Sequence, residues 1–173
     1  MLAHRISPVG IFFCLHCAFT FAIICGIERN SVMSTNASIS LMNKDGSLDT
    51  IYNHWDGYLF GLGYMLTHYY TKVKKIRDLI ALGNVSSVDV DLIPTEATHS
   101  FDNPQKGVTI AYGRDRGDSN QEAKHFDTFE DFCKSCMVQE YNYIFKDGDW
   151  FLFKFEKERP TKIDDFINIS RLM

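Results

Sequence analysis

The sequence predicts an α+β domain. Its antiparallel sheet is built from two β-hairpins and one further strand, and packs against one long helix and one or two short ones. Two Asp-Gly pairs, Asp45-Gly46 and Asp147-Gly148, lie between apolar runs, and this pattern is a strong hairpin signal because the turn needs positive φ angles. Between the hairpins, apolar residues recur every three or four positions from Leu59 to Ile80, which is the spacing of one helical face.

The composition is typical of a globular protein. Of 173 residues, 45% are hydrophobic, 14% aromatic and 23% charged, which excludes a disordered chain, a collagen-like repeat and a coiled coil. The 18 Lys+Arg against 22 Asp+Glu give a formal net charge of −4, so a broad surface for nucleic acid is not expected. Five cysteines are an odd number and argue against a secreted disulfide framework.

Residues 1–32 form an apolar leader, and residues 33–173 are expected to form a single α+β domain. The leader has an apolar stretch from Ile11 to Ile27 behind Arg5. Three interpretations remain open for it: a secretory signal or membrane anchor, a buried helix, and a translation start assigned upstream of the true one at Met33. A membrane is therefore a partner only if residues 11–27 are translated and retained.

A start at Met33 would leave two cysteines, Cys133 and Cys136, which suits a reducing cytoplasm. We therefore expect a cytoplasmic protein, with membrane attachment or export through the leader as the alternative. The two cysteines fall on the apolar face of a predicted helix, which favours core packing over redox or metal chemistry. No metal site and no cofactor are expected.

The first hairpin is predicted to pair Ala37 to Met42 with Leu48 to His54 around a two-residue turn at Asp45-Gly46. That register predicts one buried face and one solvated face. The buried face would carry Ile39, Leu41, Leu48 and Tyr52, and the solvated face Ser38, Ser40, Asp49 and Asn53.

A long helix is expected to follow and to end at Gly83-Asn84. Its apolar stripe comprises Leu59, Leu62, Leu66, Tyr69, Val73, Ile76 and Ile80. The segment from Val85 to Gln105 is predicted to be irregular, with one short strand at Val88 to Ile93. Gly107 to Gly113 is predicted to be a strand.

Thr128 is expected to cap a helix, with Asp131 three residues on. The apolar face of this helix would carry Phe129, Phe132, Cys133, Cys136 and Met137. The second hairpin, Glu140 to Phe155, is predicted to turn at Asp147-Gly148 and to place Lys146 opposite Asp149, Phe145 opposite Trp150 and Tyr143 opposite Leu152. Apolar residues on both of its faces indicate interior strands. A last short helix is expected from Thr161, with Phe166 and Ile167.

The first candidate binding residues are His54, Trp55, Asp56 and Tyr58. They lie where the second strand meets the glycine-containing start of the helix, a place where unpaired backbone N–H groups favour binding sites. His54 and Asp56 are also weak candidates for catalytic acid/base partners or metal ligands. The alternative is structural, with Asp56 capping the helix and Trp55 and Tyr58 closing the core.

The second set of candidate binding residues is Arg114, Asp115 and Arg116. If the preceding strand continued through them, alternation would put both arginines on one side, spaced to clamp a phosphate or carboxylate. The alternative is a solvated turn with locally paired charges.

The run from Ser38 to Tyr58, with its strand–KDG–strand–NHWDGY pattern, resembles small uncharacterised proteins of bacteriophages, prophages and plasmids. Those proteins also carry a YxRDRG-like segment, here Tyr112 to Gly117, and often a closing hairpin like Tyr143 to Phe151. The resemblance covers about residues 33–155 and implies a compact cytoplasmic accessory protein. It transfers no catalytic residue.

The function expected from these observations is binding. A small acidic accessory protein of mobile-element type would engage a host protein, in host takeover or defence evasion. One alternative is an enzyme that acts on a phosphate-bearing small molecule or nucleic acid, with His54 and Asp56 as the reactive groups and Arg114 and Arg116 holding the anion. The other is a membrane-anchored or exported protein that uses residues 11–27.

Overall fold

The computed structural model describes residues 34–154 and 167–171. The predictions for the leader and for the helix from Thr161 to Phe166 lie outside these residues. The strands are β1 (Ala37–Met42), β2 (Leu48–Asn53), β3 (Val85–Ser87), β4 (Ile110–Ala111), β5 (Lys124–Phe126), β6 (Tyr141–Lys146), β7 (Asp149–Lys154) and β8 (Ile167–Asn168). The α-helices are α1 (Tyr64–Tyr69), α2 (Val73–Ala81) and α3 (Phe129–Lys134). Within the described ranges, no helix has the length and apolar character to cross a membrane.

The strands form one mixed sheet in the order β4-β3-β2-β1-β6-β7-β8, and β5 pairs with β2. The α+β class is therefore confirmed, but the expectation of an antiparallel sheet is wrong. β1 runs parallel to β6, from Ala37 beside Tyr141 to Leu41 beside Phe145, and β2 meets β3 in parallel at Asn53 and Val85. Turn residues specify how the two strands of one hairpin pair, and carry no information on how separate hairpins meet.

The first hairpin turns through three residues rather than two. The Asn43 N–H donates to the Ser47 carbonyl at 2.8 Å, and of the intervening residues only Gly46 has positive φ, at 90°. The Asp45 carboxylate stabilises this loop by accepting from the N–H and hydroxyl of Ser47, at 3.0 and 2.7 Å. A glycine in the left-handed region at the third loop position is the usual form of such a turn.

The extra loop residue shifts the register by one, so Leu41 lies opposite Asp49. Ile39 and Leu41 share a face and a core cluster with Ile51, while Leu48 and Tyr52 belong to the cluster on the other face. The predicted common face of Ile39, Leu41, Leu48 and Tyr52 is therefore wrong. A shift of one residue moves every side chain of a strand to the opposite face.

Both faces of the central sheet are buried, so the predicted solvated face is also wrong. One face packs against α1 and α2 through Leu66 and Ile76, and the other against α3 through Phe132. The polar residues Ser38, Ser40 and Asn53 are fully buried between these layers.

Two side-chain pairs satisfy polar groups inside this sheet. The Ser38 hydroxyl donates to Asn142 Oδ1 at 2.8 Å, and the hydroxyls of Ser40 and Thr50 are bonded at 2.8 Å. Asn142 also donates from Nδ2 to the carbonyls of Gln139 and Phe153. Such pairing is needed because an unpaired polar group in a core is costly.

The second hairpin is confirmed in its turn and in its register. Asp147 and Gly148 both have positive φ, at 52° and 96°, and Lys146 pairs with Asp149. The pairs Phe145–Trp150 and Tyr143–Leu152 follow as predicted. β6 has buried side chains on both faces, as expected for an interior strand.

The predicted long helix is interrupted. A π-helical turn, Leu59–Gly63, leads into α1, and α2 begins only at Val73. Between them Tyr70 leaves the helical region (φ −115°, ψ 57°) and is buried, with its carbonyl accepting from Trp150 Nε1 at 2.9 Å. Tyr69 and Val73, which the predicted stripe includes, are exposed. α2 ends as expected before Gly83, whose φ is 74°.

Four shorter predictions need correction, and one is confirmed. The strand expected at Val88 to Ile93 lies earlier, at Val85–Ser87, and the strand expected at Gly107 to Gly113 reduces to Ile110–Ala111. The Thr128 cap is confirmed, since its hydroxyl accepts from the Asp131 N–H at 3.1 Å. However, α3 ends at Lys134, so Cys133 is buried whereas Cys136 is exposed. Ile167 belongs to β8 rather than to a helix.

Replacing Trp150 by Phe should lower the free energy of unfolding by roughly 2 kcal/mol. The change removes the indole N–H and leaves the buried Tyr70 carbonyl without this donor. Urea unfolding of the two proteins measures the difference. Equal midpoints would show that this hydrogen bond does not stabilise the break that ends α1.

Candidate functional site

The segment after β2 forms one wall of a surface cleft of about 300 Å³. We call it the aromatic cleft, since four aromatic side chains line it together with two carboxylates; these residues are Trp55, Tyr58, Phe60, Tyr64, Asp56 and Asp89. Three of the four binding candidates from the HWDGY segment, namely Trp55, Asp56 and Tyr58, therefore lie at the same place.

The chain reaches the cleft by extending the pairing of β2 beyond its end. The N–H groups of His54 and Trp55 donate to the carbonyls of Val85 and Ser86, at 3.2 and 2.9 Å. Asp56 then takes a positive φ of 58°, which turns the chain out of the sheet. Aspartate is one of the few residues other than glycine that tolerate this conformation.

Gly57 fixes the segment against the N-terminal end of β1. Its N–H donates to the Thr35 carbonyl at 2.8 Å, and its carbonyl accepts from the buried Tyr143 hydroxyl at 2.8 Å. A Cβ atom at this position would lie 2.6 Å from the Thr35 oxygen and 2.9 Å from the Ala37 Cβ. Only glycine permits this approach of two backbones.

The π-helical turn Leu59–Gly63 presents the aromatic side chains to solvent. The Leu62 N–H donates to the Asp56 carbonyl at 2.8 Å, and the Gly61 N–H to the Tyr58 carbonyl at 3.0 Å. Phe60 is 81% exposed, while Tyr58 and Tyr64 are 43% and 44% exposed. Tyr64 is further fixed by stacking on His68, with ring centroids 3.9 Å apart. The result is an exposed aromatic surface on a backbone held by several hydrogen bonds.

The charge of the cleft has one sign. Within the described part of the chain, its lining includes the carboxylates of Asp56 and Asp89 and no Lys, Arg or His. Asp56 is exposed, and Asp89 is half-buried with one carboxylate oxygen accepting from the Val90 N–H at 2.7 Å. An acidic rim beside apolar rings favours a ligand that combines an apolar group with a positive charge.

His54, the remaining candidate of this segment, is not part of the lining. Its Nδ1 lies 2.8 Å from the Tyr52 hydroxyl, and its ring packs edge-on against Trp55 with centroids 4.7 Å apart. Among the hydrogen bonds of the described residues, none joins His54 to Asp56. The geometry therefore shows no acid/base pair between these two side chains.

Asp115 and His99 form a buried side-chain pair that the more exposed Arg114 joins, and these residues are not part of the lining of the aromatic cleft. The Asp115 carboxylate accepts from Arg114 Nε at 2.6 Å, from the Ala111 N–H at 2.7 Å and from His99 Nε2 at 3.2 Å. The His99 and Asp115 side chains are 2% and 3% exposed. Because His99 Nδ1 accepts from the Gln105 N–H at 3.0 Å, the ring proton must lie on Nε2. Burial opposes ionisation, but the bonds from Arg114, Ala111 and His99 outweigh it and lower the pKa of Asp115.

Arg116 binds a different carboxylate. Its guanidinium donates to Asp118, with Nε 3.0 Å from each oxygen. It also lies over the rings of Tyr112 and Phe101, at 4.4 and 4.7 Å from the centroids, a cation–π arrangement. Residues 112–116 form a π-helical turn rather than a strand, so the alternation used to place both arginines on one side does not apply.

These contacts bear on the alternative of an enzyme acting on phosphate-bearing substrates. Each guanidinium already has a carboxylate partner within the domain, and none of Arg114, Asp115 and Arg116 lines the aromatic cleft. The described residues also contain no group of three or more His, Cys, Asp or Glu able to hold a metal ion. Arg114, Asp115 and Arg116 therefore do not form one site with the aromatic cleft.

Comparisons with protein-family models, with curated protein sequences and with solved structures find no match. The resemblance to bacteriophage, prophage and plasmid proteins therefore stays a prediction, and the functional argument depends on the geometry of the site.

Of the aromatic and acidic residues that line the cleft, three were not among the sequence-based candidates: Phe60, Tyr64 and Asp89. A signal for two of them was available. Phe60 and Tyr64 lie off the apolar stripe of the predicted helix, and large aromatic residues outside such a stripe are expected to be exposed. Asp89 offered no such signal, because its place depends on the pairing of β3 with β2.

Replacing Gly57 by Ala should lower the free energy of unfolding by roughly 3 kcal/mol. The added methyl group would collide with the Thr35 oxygen and the Ala37 Cβ. Gly113→Ala is the matched control, since its nearest neighbour, the Asp118 oxygen, would be 3.7 Å away. Thermal or urea unfolding compares the two, and equal losses would contradict the close approach at Gly57.

Asp115→Asn should destabilise the domain by roughly 3 kcal/mol at pH 7, because Arg114 and His99 lose a buried carboxylate. The pKa of the folded carboxyl is lowered, so its stabilisation is complete above the unfolded value of about 3.9. This stabilisation is lost as the pH falls through the lower pKa of the folded protein. The free energies of unfolding of Asp115→Asn and of the natural protein should therefore converge there.

Urea unfolding from pH 7 down to pH 2 measures this convergence. Asp118→Asn removes a carboxylate from a more exposed pair with Arg116 and should have a much smaller effect. If the free energy of unfolding of Asp115→Asn differs from that of the natural protein by the same amount at every pH, the stabilising role assigned to the ionised Asp115 carboxylate is contradicted.

Proposed function

We propose that this chain is a binding protein that engages a partner protein through the aromatic cleft. In keeping with the resemblance of its sequence motifs, the protein is a small acidic accessory protein of mobile-element type, and the partner is a host protein. The single observation that carries the proposal is Phe60, an aromatic side chain that is 81% exposed on a backbone turn fixed by hydrogen bonds.

An exposed aromatic residue in this setting favours recognition. A phenyl ring that stays in water lacks the stabilisation of roughly 2 kcal/mol or more that its burial would contribute. Contiguous exposed aromatic surface is typical of a protein interface. Phe60 does not stand alone, since Tyr58 and Tyr64 flank it and Trp55 lines the same cleft. Tyrosine and tryptophan are the residues that most often contribute large binding energies in interfaces.

The fixed backbone also supports binding rather than simple exposure. The hydrogen bonds of Gly57 to Thr35 and Tyr143, and of Leu62 to Asp56, hold the segment before a partner arrives. Binding then requires less ordering of the interface, and the cost of association falls. A loop without these contacts would lose that advantage.

The chemistry of the partner follows from the lining. A protein segment that inserts an apolar side chain among the rings and places a Lys or Arg near Asp56 and Asp89 would be complementary to the cleft. The net charge of −4 for the whole chain adds long-range attraction to a basic partner surface.

Phe60→Ala should abolish partner capture and leave the fold intact, because an exposed side chain contributes little to stability. Ile93→Ala is the matched control: Ile93 is 79% exposed and does not line the aromatic cleft. Tagged forms of the natural protein and both variants are used in pull-downs from bacterial lysate, and bound proteins are compared by quantitative mass spectrometry.

A candidate partner is then purified, and its affinity for each form is measured by calorimetry. We expect Phe60→Ala to weaken binding at least tenfold, about 1.4 kcal/mol, and Ile93→Ala to leave it unchanged. The proposal fails if both variants bind as the natural protein does, or if no protein is captured in a Phe60-dependent way.

A further inference from the structure

A second surface depression lies at the edge of the sheet where the two hairpin turns meet. Because β1 and β6 are parallel neighbours, the turn after β1 and the turn after β6 lie side by side. The first turn of α2 borders them, and the three elements enclose a groove of about 470 Å³. We call it the basic groove.

Three cationic side chains converge on the groove from three separate elements. Lys44 comes from the first turn, Lys146 from the second and Arg77 from α2. Among the described residues, the only carboxylate in the lining is that of Asp147, which is 87% exposed and 3.9 Å from Lys146 Nζ. The lining thus carries three positive charges against one negative, in a chain whose net charge is −4.

These cations differ from two other exposed lysines of the domain. Lys74 is bound to Asp78 at 2.7 Å and Lys134 to Glu130 at 2.5 Å, as is common for exposed helix residues four apart. Among the residues that the structure describes, Lys44 and Arg77 have no such ion pair. The first turn of α2 also has no acidic residue, so positive charge predominates at this edge.

The floor of the groove is apolar. Leu41 and Phe145 lie beneath it, and Val73 forms part of its wall although 41% of that residue is exposed. Cations around an apolar floor suit a ligand in which an anionic group is attached to an apolar one. The volume lies within the range of about 300 to 1,000 Å³ that is usual for small-molecule sites.

From this arrangement we propose that the basic groove binds a small organic phosphate. The phosphate is held by Arg77, whose planar guanidinium can donate two hydrogen bonds to it, together with Lys44 and Lys146. The organic part lies on Val73 and Phe145. A long nucleic-acid strand is disfavoured because the acidic remainder of the chain would repel its further phosphates. This site is separate from the aromatic cleft and does not depend on the function proposed for it.

The test uses the full chain and phenyl phosphate as the probe, with inorganic phosphate and a single-stranded oligonucleotide for comparison. Backbone amide shifts in NMR titrations at low salt locate each probe, and calorimetry gives its affinity. We expect saturable shifts at Lys44, Val73, Arg77 and Lys146, and tighter binding of phenyl phosphate than of inorganic phosphate by several-fold.

Arg77→Gln should weaken phenyl phosphate binding about tenfold, as expected for loss of a charged hydrogen-bonding partner. Lys106→Gln is the matched control, because Lys106 is exposed, carries the same charge and does not line the groove. Unchanged thermal unfolding verifies that both variants are folded.

Three results would overturn the proposal. The first is the absence of saturable shifts at the groove, and the second is an equal loss of affinity in Lys106→Gln, which would indicate an unspecific effect of charge. The third is equal affinity for phenyl phosphate and inorganic phosphate, or tighter binding of the oligonucleotide at the same residues, since either removes the small organic phosphate as the ligand.

Discussion

Burial of the central sheet on both faces is the constraint on which the rest of the structure depends. The first face meets α1 and α2 and the second meets α3, so every strand at the centre must provide side chains that suit two cores. Among the polar residues buried there, Ser38 pairs with Asn142 and Ser40 with Thr50. The sheet also stabilises the aromatic cleft, because the Tyr143 hydroxyl of the central strand β6 donates to the Gly57 carbonyl.

Local features of the fold were predictable from the sequence where one dipeptide or one side chain determines the geometry. Asp147-Gly148 adopts the two positive φ angles of its turn and sets the register of the second hairpin. Thr128 caps α3, and Gly83 ends α2. In each case the deciding interaction spans only a few residues.

Features that depend on distant partners were not predictable in the same way. Asp45-Gly46 carries the same signal as Asp147-Gly148, yet the bonds of Asp45 to Ser47 favour a three-residue loop and change the face of every β2 side chain. The break between α1 and α2 at Tyr70 contains no glycine or proline from which it could be predicted. It depends on a hydrogen bond from Trp150, 80 residues away. For the candidate site, Trp55, Asp56 and Tyr58 of the predicted segment line a cleft, but Asp89 reaches that cleft only through the pairing of β3. The ion pairs of Arg114 with Asp115 and of Arg116 with Asp118 are instead local, as in the alternative of a turn with locally paired charges.

The parallel pairing of β1 with β6 joins residues about one hundred positions apart, from Ala37 and Tyr141 to Leu41 and Phe145. At a synthesis rate of roughly 5 to 20 residues per second, β6 leaves the ribosome about 5 to 20 seconds after β1. Throughout that interval the first hairpin has an open edge able to pair with another nascent chain. High contact order of this kind also slows folding after release, so the yield of soluble protein should be governed by expression rate and temperature, and should benefit from chaperones that shield the waiting strand.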